Sequence, residues 1–175
     1  LGDTIIDTIH NCEVIGGLHK TPTLSITKKV SQNFLGGAGV VALHFKKITN
    51  NVEFTSLVGE DAAGRFAKKQ FKKYKLKTNI FSEKDRPTTN KSSYFVDNHK
   101  LLKVDEVINT PILESTIKKI EKIIKKEKNK IIVFSDFRHG IFNKFTSKKF
   151  VSTIRNSCFK VADSQVASRW GNILD

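Results

Sequence analysis

The chain has 175 residues, of which 38% are hydrophobic and 27% charged, so one domain with a full core is expected. No apolar run approaches the roughly 18–20 residues that a membrane-spanning helix needs, and Cys12 and Cys158 lack the spacing of a zinc site or a disulfide framework. Two free thiols in a reducing cytoplasm are therefore predicted.

Lys and Arg total 31 against 17 for Asp and Glu, a formal net charge of +14, which raises the question of a nucleic-acid partner. Most lysines lie in segments with helical periodicity, such as ESTIKKIEKIIKKEKNK, where Ile117, Ile120 and Ile124 mark one apolar face. Aromatic-and-basic RNA-binding motifs, zinc-finger spacing and a helix-turn-helix pattern are all missing. The charge is better interpreted as solvated helix faces than as a nucleic-acid-binding surface.

The first 50 residues predict a strand end, a hairpin and a helix. The chain opens on LGDTIIDTI, interpreted as the last residue of a strand followed by its loop, so sequence is expected before Leu1 and after Asp175. CEVIGGLHKTPTLSITKKVSQNF predicts two β segments around a turn. NFLGGAGVVALHF passes from a glycine corner into a helix whose apolar face is predicted to include Val41, Phe45 and Ile48.

The remaining elements alternate between strands and helices. Residues 53–59 predict a strand, and EDAAGRFAKKQFKKY predicts the following helix, with Asp61 as a candidate N-cap. KSSYFVDNHKLLKVDEV predicts a hairpin that turns at Asp97 and Asn98. The Ile117 helix, a strand over 130–136, the helix TSKKFVSTIRNS and the strand CFKVADSQ follow. This alternation predicts an α/β fold.

Polar clusters follow four of these strands: GDTIID, VGEDAAG, SDFRHG and ADSQ. Ligands of open parallel sheets collect at the carboxyl ends of the strands. Asp7, Asp136 and Asp163 are therefore expected near one edge of the sheet. A single acid at such a position is more often a helix N-cap, which is the simpler interpretation of Asp61.

In order, GDxxxD, GGAGxVA, VGEDAAG, RPTTNK, LLKVD, SDFRHG and ADSQ resemble the ribokinase-like (PfkB) carbohydrate kinases. PTTNK followed by HKLLKVD is typical of the branch that phosphorylates D-glycero-D-manno-heptose 7-phosphate at its anomeric hydroxyl. The resemblance implies a ribokinase-like, Rossmann-type sheet flanked by helices, with a small β-sheet lid. It covers residues 1–175 as one incomplete kinase domain, with lid segments at about 12–34 and 91–107.

The resemblance also assigns the sugar site. Asp7 matches the acid that hydrogen-bonds sugar hydroxyls, and Gly36 and Gly37 match a di-glycine that lets the sugar approach the backbone closely. Lys91 matches a lid lysine that reaches over the acceptor. Asp136 is expected to face the bound sugar from the end of its strand.

Other positions depart from the family pattern. Val40 replaces a polar Asn, Ser93 replaces an arginine, and His139 replaces a lysine, so His139 would meet a phosphate only weakly unless it is protonated. An ordinary loop histidine is the competing interpretation of His139. The resemblance also implies that Asp163 lies near the start of the nucleotide site. These departures leave the identity of the sugar open.

The family's catalytic base belongs to a late GAGD motif, and an Asn-x-x-Glu motif helps to hold magnesium; neither lies within the 175 residues. The resemblance thus implies ATP and Mg²⁺ as cofactors, a base beyond Asp175, and no catalytic residue or metal ligand in this chain. It further implies an inactive isolated chain, a sugar or sugar-phosphate substrate, a homodimer formed through the lid, and a cytoplasmic role in lipopolysaccharide or surface-polysaccharide precursor synthesis.

Three alternatives stay open at this point. A non-catalytic sugar-binding or dimerisation module could share the fold, and a basic nucleic-acid-binding domain would explain the charge. A dinucleotide-binding Rossmann domain is disfavoured, because the first turn, GDTIID, lacks the G-x-G-x-x-G glycines.

Overall fold

The computed structural model describes residues 1–16, 23–128, 130–171 and 173–174. The elements in this part of the chain alternate mainly between strands and helices. In chain order they are β1 (Thr4–Gly16), β2 (Ser25–Gly36), α1 (Gly37–Ile48), β3 (Glu53–Leu57), α2 (Ala62–Lys73), β4 (Lys77–Phe81), β5 (Thr89–Val96), β6 (His99–Glu106), α3 (Glu114–Ile124), β7 (Ile131–Asp136), α4 (Lys144–Thr153), β8 (Phe159–Ser164) and α5 (Ala167–Trp170).

Strand β1 joins two parts of the molecule. In a four-stranded lid sheet of order β2-β1-β5-β6, it pairs antiparallel with β2 and parallel with β5. Just before β1, Gly2 donates to Thr55 of β3 (3.2 Å), and Ser135 of β7 donates to Leu1 (2.9 Å). The start of the chain therefore lies between the parallel pairs β3–β4 and β7–β8. This mixed sheet with flanking helices confirms the predicted α/β class.

The predicted loop after the first strand is wrong, because the backbone from Thr4 to Gly16 forms one 13-residue strand. Its polar residues find partners within the structure. The Thr4 hydroxyl lies 2.7 Å from that of Ser56, and the Thr8 hydroxyl lies 3.0 Å from Asn33 Oδ1 and 2.8 Å from Asn90 Oδ1. Hydrogen-bonded polar groups can be buried at little cost, so a polar pattern at this strand does not require a loop.

Two apolar clusters form the core. One joins Ile117, Ile120 and Ile124 of α3 to Phe134 and Phe150, which confirms the apolar face predicted for that helix. The other packs α2 and α1 around the buried part of β1. Full burial of one such side chain contributes about 1.5–3 kcal/mol, so these clusters fix the sheet on which the site is built.

The apolar face predicted for α1 is wrong. The helix buries Ala38, Gly39 and Ala42, whereas Phe45 is 40% and Ile48 81% exposed. Small residues allow the helix to approach its neighbours closely: a Cβ added at Gly39 would lie 2.9 Å from the Leu35 side chain. Close approach therefore decides which face of α1 is buried.

Local turn and cap predictions are confirmed where the structure describes them. Asp97 and Asn98 have φ of 46° and 65°, as a tight hairpin turn requires, and the Asp61 carboxylate caps α2 through Gly64 N (2.7 Å). Cys12 and Cys158 are free and buried. The turn predicted between the β segments of CEVIGGLHKTPTLSITKKVSQNF falls at residues 17–22, outside the described residues. Within those residues, the helices are all too short or too polar to cross a membrane.

Candidate functional site

One row of residues crosses the lid sheet and carries the predicted site. The strand register places Phe34, Asp7, Lys91 and Asp105 side by side on β2, β1, β5 and β6. Directly paired residues point to the same face of a sheet. Lys91 Nζ lies 3.1 Å from Asp105 Oδ2, and Lys103 Nζ lies 3.4 Å from the same oxygen. The lid therefore presents two carboxylates and the Lys91 ammonium group in one row, with the Lys103 ammonium group beside it.

The Asp7 carboxylate is half-buried, and the described residues offer it no hydrogen-bond partner. Burial raises the pKa of Asp7, while the charges of Lys91 and Lys103 oppose the shift. Two acceptor oxygens thus stand free beside two cations. Such a group suits a ligand that offers hydroxyl donors.

Gly36 and Gly37 lie against this carboxylate and against the start of β1. A Cβ added at Gly36 would collide with Asp7 Oδ2, and one at Gly37 would lie 2.6 Å from the Asp3 carbonyl oxygen. Gly37 also has φ of +54°, a conformation that favours glycine. The two glycines therefore keep the space beside Asp7 open at the beginning of α1.

Asp3 organises the loop formed by residues 137–141, although the sequence prediction assigned no role to it. Its buried carboxylate accepts the backbone N–H groups of Phe137 (3.0 Å), His139 (3.3 Å) and Ile141 (3.3 Å). Burial raises the pKa of Asp3 to about 6 despite these three donors. The signal available in the sequence was its position directly after Gly2 in the GDxxxD motif.

Asp136 is arranged differently from Asp7. Its carboxylate has no exposed surface and accepts bonds from Arg169 (2.8 and 2.6 Å), Trp170 Nε1 (2.9 Å), the Ser164 hydroxyl (2.9 Å) and Arg138 N (3.0 Å). Because protein donors surround it, this arrangement fits support of the 137–141 loop better than direct contact with a sugar. The predicted sugar contact of Asp136 is untested.

His139 lies in the loop of residues 137–141. Its Nδ1 is 3.3 Å from Oδ1 of Asn109, in the segment after β6. Burial, with the charges of Lys91 and Arg138, lowers the pKa of His139 to about 4. The ring is therefore neutral at pH 7. The charges of Lys91 and Asp105 act on the ring, so the loop and the lid row lie near each other. The predicted role of His139 in substrate binding stays a prediction.

Asp163 stands apart from this group. It is exposed near the end of β8, opposite Ser135 of β7 in the register, and its nucleotide role remains a prediction. Within residues 1–16, 23–128, 130–171 and 173–174, groups of three or more His, Cys, Asp or Glu side chains that could hold a metal ion do not occur.

A cavity of about 400 Å³ lies away from the row, at the amino ends of β3 and β7. Its lining is mainly apolar and includes Leu1, Phe45, Val52, Ile124 and Ile131. Ligands of parallel sheets collect at the opposite, carboxyl ends of the strands, and polar side chains converge at the lid row instead. We therefore place the candidate site at the lid row.

Comparisons with known proteins identify the family to which the chain is similar. A family model described as "pfkB family carbohydrate kinase" matches residues 1–129. The chain is 29% identical over 150 residues to "Bifunctional protein HldE" of Nitratiruptor sp., covering 82% of this chain and 31% of that protein. It is 26% identical over 168 residues to the protein of the same name in Aliarcobacter butzleri, covering 92% and 34%. The chain thus spans about a third of the length of these curated relatives.

Solved structures share the fold at low sequence identity. Ribokinase from Giardia lamblia matches with a TM-score of 0.64 and 15% identity, over 97% of this chain and 55% of that one. Phosphofructokinase-2 from Escherichia coli in complex with fructose-6-phosphate matches with a TM-score of 0.62 and 14% identity, over 96% and 56%. These likenesses establish a ribokinase-like fold for the described chain.

Proposed function

Because the chain belongs to the pfkB family of carbohydrate kinases, we propose that it is the acceptor-binding part of an ATP-dependent sugar kinase. The proposed acceptor is a heptose 7-phosphate, as the PTTNK and HKLLKVD motifs and the likeness to HldE proteins suggest. The product would enter the synthesis of surface-polysaccharide precursors in the cytoplasm, where ATP is available.

The observation that carries the proposal is the free carboxylate of Asp7, which lies against Gly36 and beside Lys91 in the lid row. A carboxylate in this position accepts two sugar hydroxyls, and the missing Gly36 side chain leaves room for the ring. Lys91 lies on the same face, where its charge would attract the transferring phosphoryl group or a phosphate on the acceptor. The same half-buried site would exclude water when a sugar fills it.

Kinases of this family use ATP and typically Mg²⁺. Phosphoryl transfer depends on positioning, on electrostatic stabilisation and on a base for the attacking hydroxyl. In our proposal residues 1–175 supply the positioning of the acceptor, and Asp163 borders the nucleotide. The base and most nucleotide contacts belong to sequence that follows Asp175. Residues 1–175 alone would then be inactive.

We further propose that two copies associate through their lid sheets. Apolar side chains on β6 are exposed on the face opposite the row, with Leu102 at 54% and Val104 at 41%. Exposed apolar groups concentrated on one sheet are typical of an interaction surface. Sedimentation equilibrium of the wild type and of Leu102→Glu tests this: the wild type should be dimeric, and the variant should shift towards monomer.

The proposed activity is tested by ADP formation from the complete open reading frame that contains residues 1–175, against a panel of heptose and hexose phosphates. We expect ADP formation that depends on a sugar phosphate, and none from residues 1–175 alone. ADP formation by residues 1–175 alone would contradict the proposal that these residues do not contain the catalytic base. If the complete protein binds sugar without forming ADP, it is the non-catalytic binding module instead.

A further inference from the structure

Arg86 is a buried side chain that holds the segment after β6 in place. Its guanidinium pairs with Glu83 (2.9 Å), which is also buried, and donates to the carbonyl oxygens of Ile108 (2.9 Å), Thr110 (2.8 Å) and Pro111 (3.0 Å). A guanidinium has five N–H donors in a fixed plane, so it fixes several carbonyl groups at once. The backbone on both sides of Asn109 is therefore held in one conformation.

The same guanidinium lies against the loop that carries His139. A Cβ added at Gly140 would be 2.8 Å from Arg86 Nη1, and Gly140 has φ of +103°, so only glycine suits this close approach. Asp3, Arg86, Ile108 and His139 also line one small cleft. Arg86 therefore sets the distance between Asn109 and His139 from both sides.

The contact between these two residues determines which ring nitrogen carries the proton. Oδ1 of Asn109 can only accept a hydrogen bond, so Nδ1 of His139, 3.3 Å away, is the donor. A neutral imidazole has one N–H and one lone pair. With the proton on Nδ1, Nε2 carries the lone pair, and the described residues give it no hydrogen-bond partner.

Burial and the surrounding charges together keep the ring neutral. Lys91 of β5 and Arg138 of the same loop disfavour a proton, while Asp105 of β6 and Asp136 of β7 favour one. Burial is the largest influence, and together these groups lower the pKa of His139 to about 4. At pH 7 the ring therefore offers a lone pair to a ligand, not a positive charge.

We infer that His139 is a specificity-determining residue that accepts a hydrogen bond from a sugar hydroxyl through Nε2, and that Asn109 and Arg86 are its positioning residues. This inference rests on the proposed sugar site. A hydroxyl can donate to the Nε2 lone pair, whereas a phosphate group that lacks a proton cannot. His139 thus selects a hydroxyl where a lysine would select a phosphate.

The protonation state is tested by long-range ¹H–¹⁵N correlation of the imidazole rings in the ¹⁵N-labelled chain at pH 7. His139 should be neutral with its proton on Nδ1, and Asn109→Ala should move the proton population towards Nε2. His99, whose Nδ1 lies 3.0 Å from the Asp97 carbonyl oxygen, is the internal control and should not change. A positively charged His139, or a proton on Nε2 in the wild type, would overturn the inference.

The ligand preference is tested by calorimetric titration with D-glycero-D-manno-heptose and with its 7-phosphate. Loss of one neutral hydrogen bond corresponds to about 1 kcal/mol. His139→Ala should therefore lower the affinity for both ligands by the same factor, roughly fivefold. A loss confined to the 7-phosphate would show that His139 binds the phosphate and would overturn the inference. If neither sugar binds, the proposed function fails together with the ligand assigned to His139, while the protonation measurement still stands.

Discussion

Asp7 and Asp136 are both strand carboxylates that the motif pattern assigned to the sugar, yet their surroundings are opposite. Asp7 is half-buried beside Gly36 and lacks a hydrogen-bond partner among the described residues. Asp136 is fully buried and accepts bonds from Arg169, Trp170, Ser164 and a backbone N–H group. A free carboxylate can bind a ligand, whereas a saturated one holds the protein together. The following predictions test this contrast, from the largest expected effect to the smallest.

Asp136→Asn should be strongly destabilising. Removing one partner of a buried ion pair typically costs about 3–5 kcal/mol, because the other charge stays buried without compensation. We expect the free energy of unfolding in urea to fall by about 3 kcal/mol. Asp163→Asn, one strand away and exposed, is the matched control and should change it by less than about 0.5 kcal/mol. Equal effects of the two substitutions would contradict the structural role of Asp136.

Asp3 should make stability depend on pH in an unusual direction. Its pKa rises from 3.8 to about 6 on folding, so the folded chain binds more protons than the unfolded chain between these values. Its contribution is present below about pH 4 and lost as the pH rises through about 6. We expect the difference in unfolding free energy between wild type and Asp3→Asn to change by roughly 2 kcal/mol across this window. A difference that does not vary with pH would contradict the raised pKa.

Gly36→Ala should disturb the site with a small loss of stability. The added Cβ would collide with Asp7 Oδ2, so the carboxylate must move, and we expect a cost of about 1 kcal/mol. Gly16→Ala, at the far end of β1 with nothing within 4 Å of the new Cβ, is the matched control. Thermal unfolding of both variants measures the difference. A Gly36→Ala protein as stable as the control would mean that Asp7 moves aside freely.

Glu13→Gln should have the smallest effect. Glu13 pairs with Lys29 at 2.8 Å, but the two side chains are 64% and 52% exposed. Exposed ion pairs contribute about 0–1 kcal/mol and are screened by salt. We expect Glu13→Gln to change the free energy of unfolding in urea by less than about 0.5 kcal/mol. A loss of unfolding free energy close to that of Asp136→Asn would show that exposure does not determine how much a paired carboxylate contributes to stability.

Much of the fold could be predicted from local patterns. The isoleucines of α3 repeat at helical spacing and are buried, and Asp97-Asn98 turns the β5–β6 hairpin with two positive φ angles. Asp61 caps α2 as expected, and its carboxylate also accepts Thr88 N (2.7 Å) at the entry to the lid. Patterns of this kind depend on neighbours in sequence, so one sequence is enough to recognise them.

The wrong predictions concern elements whose conformation or buried face depends on residues far away in the sequence. The polar residues of β1 predict a loop. They lie in a strand instead because they form hydrogen bonds with residues far along the chain, such as Ser56 and Asn90. Helix α1 buries its alanines because small side chains let the helix pack closely against its neighbours, and the larger Phe45 and Ile48 side chains stay exposed.

The site shows the same limit. The motif order located Asp7, Gly36 and Lys91, which the structure brings together. It could not show that Arg169 and Trp170 donate hydrogen bonds to the Asp136 carboxylate, because they follow it by 33 and 34 residues. It also gave no sign that Asn109 contacts His139 or that Arg86 lies against Gly140. Whether a carboxylate is free or occupied depends on tertiary contacts.

The central claim is that the free carboxylate of Asp7 binds the acceptor sugar. Calorimetric titration of D-glycero-D-manno-heptose 7-phosphate into the wild type and Asp7→Asn tests it most directly, with urea unfolding of both as the check on folding. The account predicts saturable binding that Asp7→Asn weakens at least tenfold, about 1.4 kcal/mol, with little change in stability. Equal affinities in two equally stable proteins would contradict it.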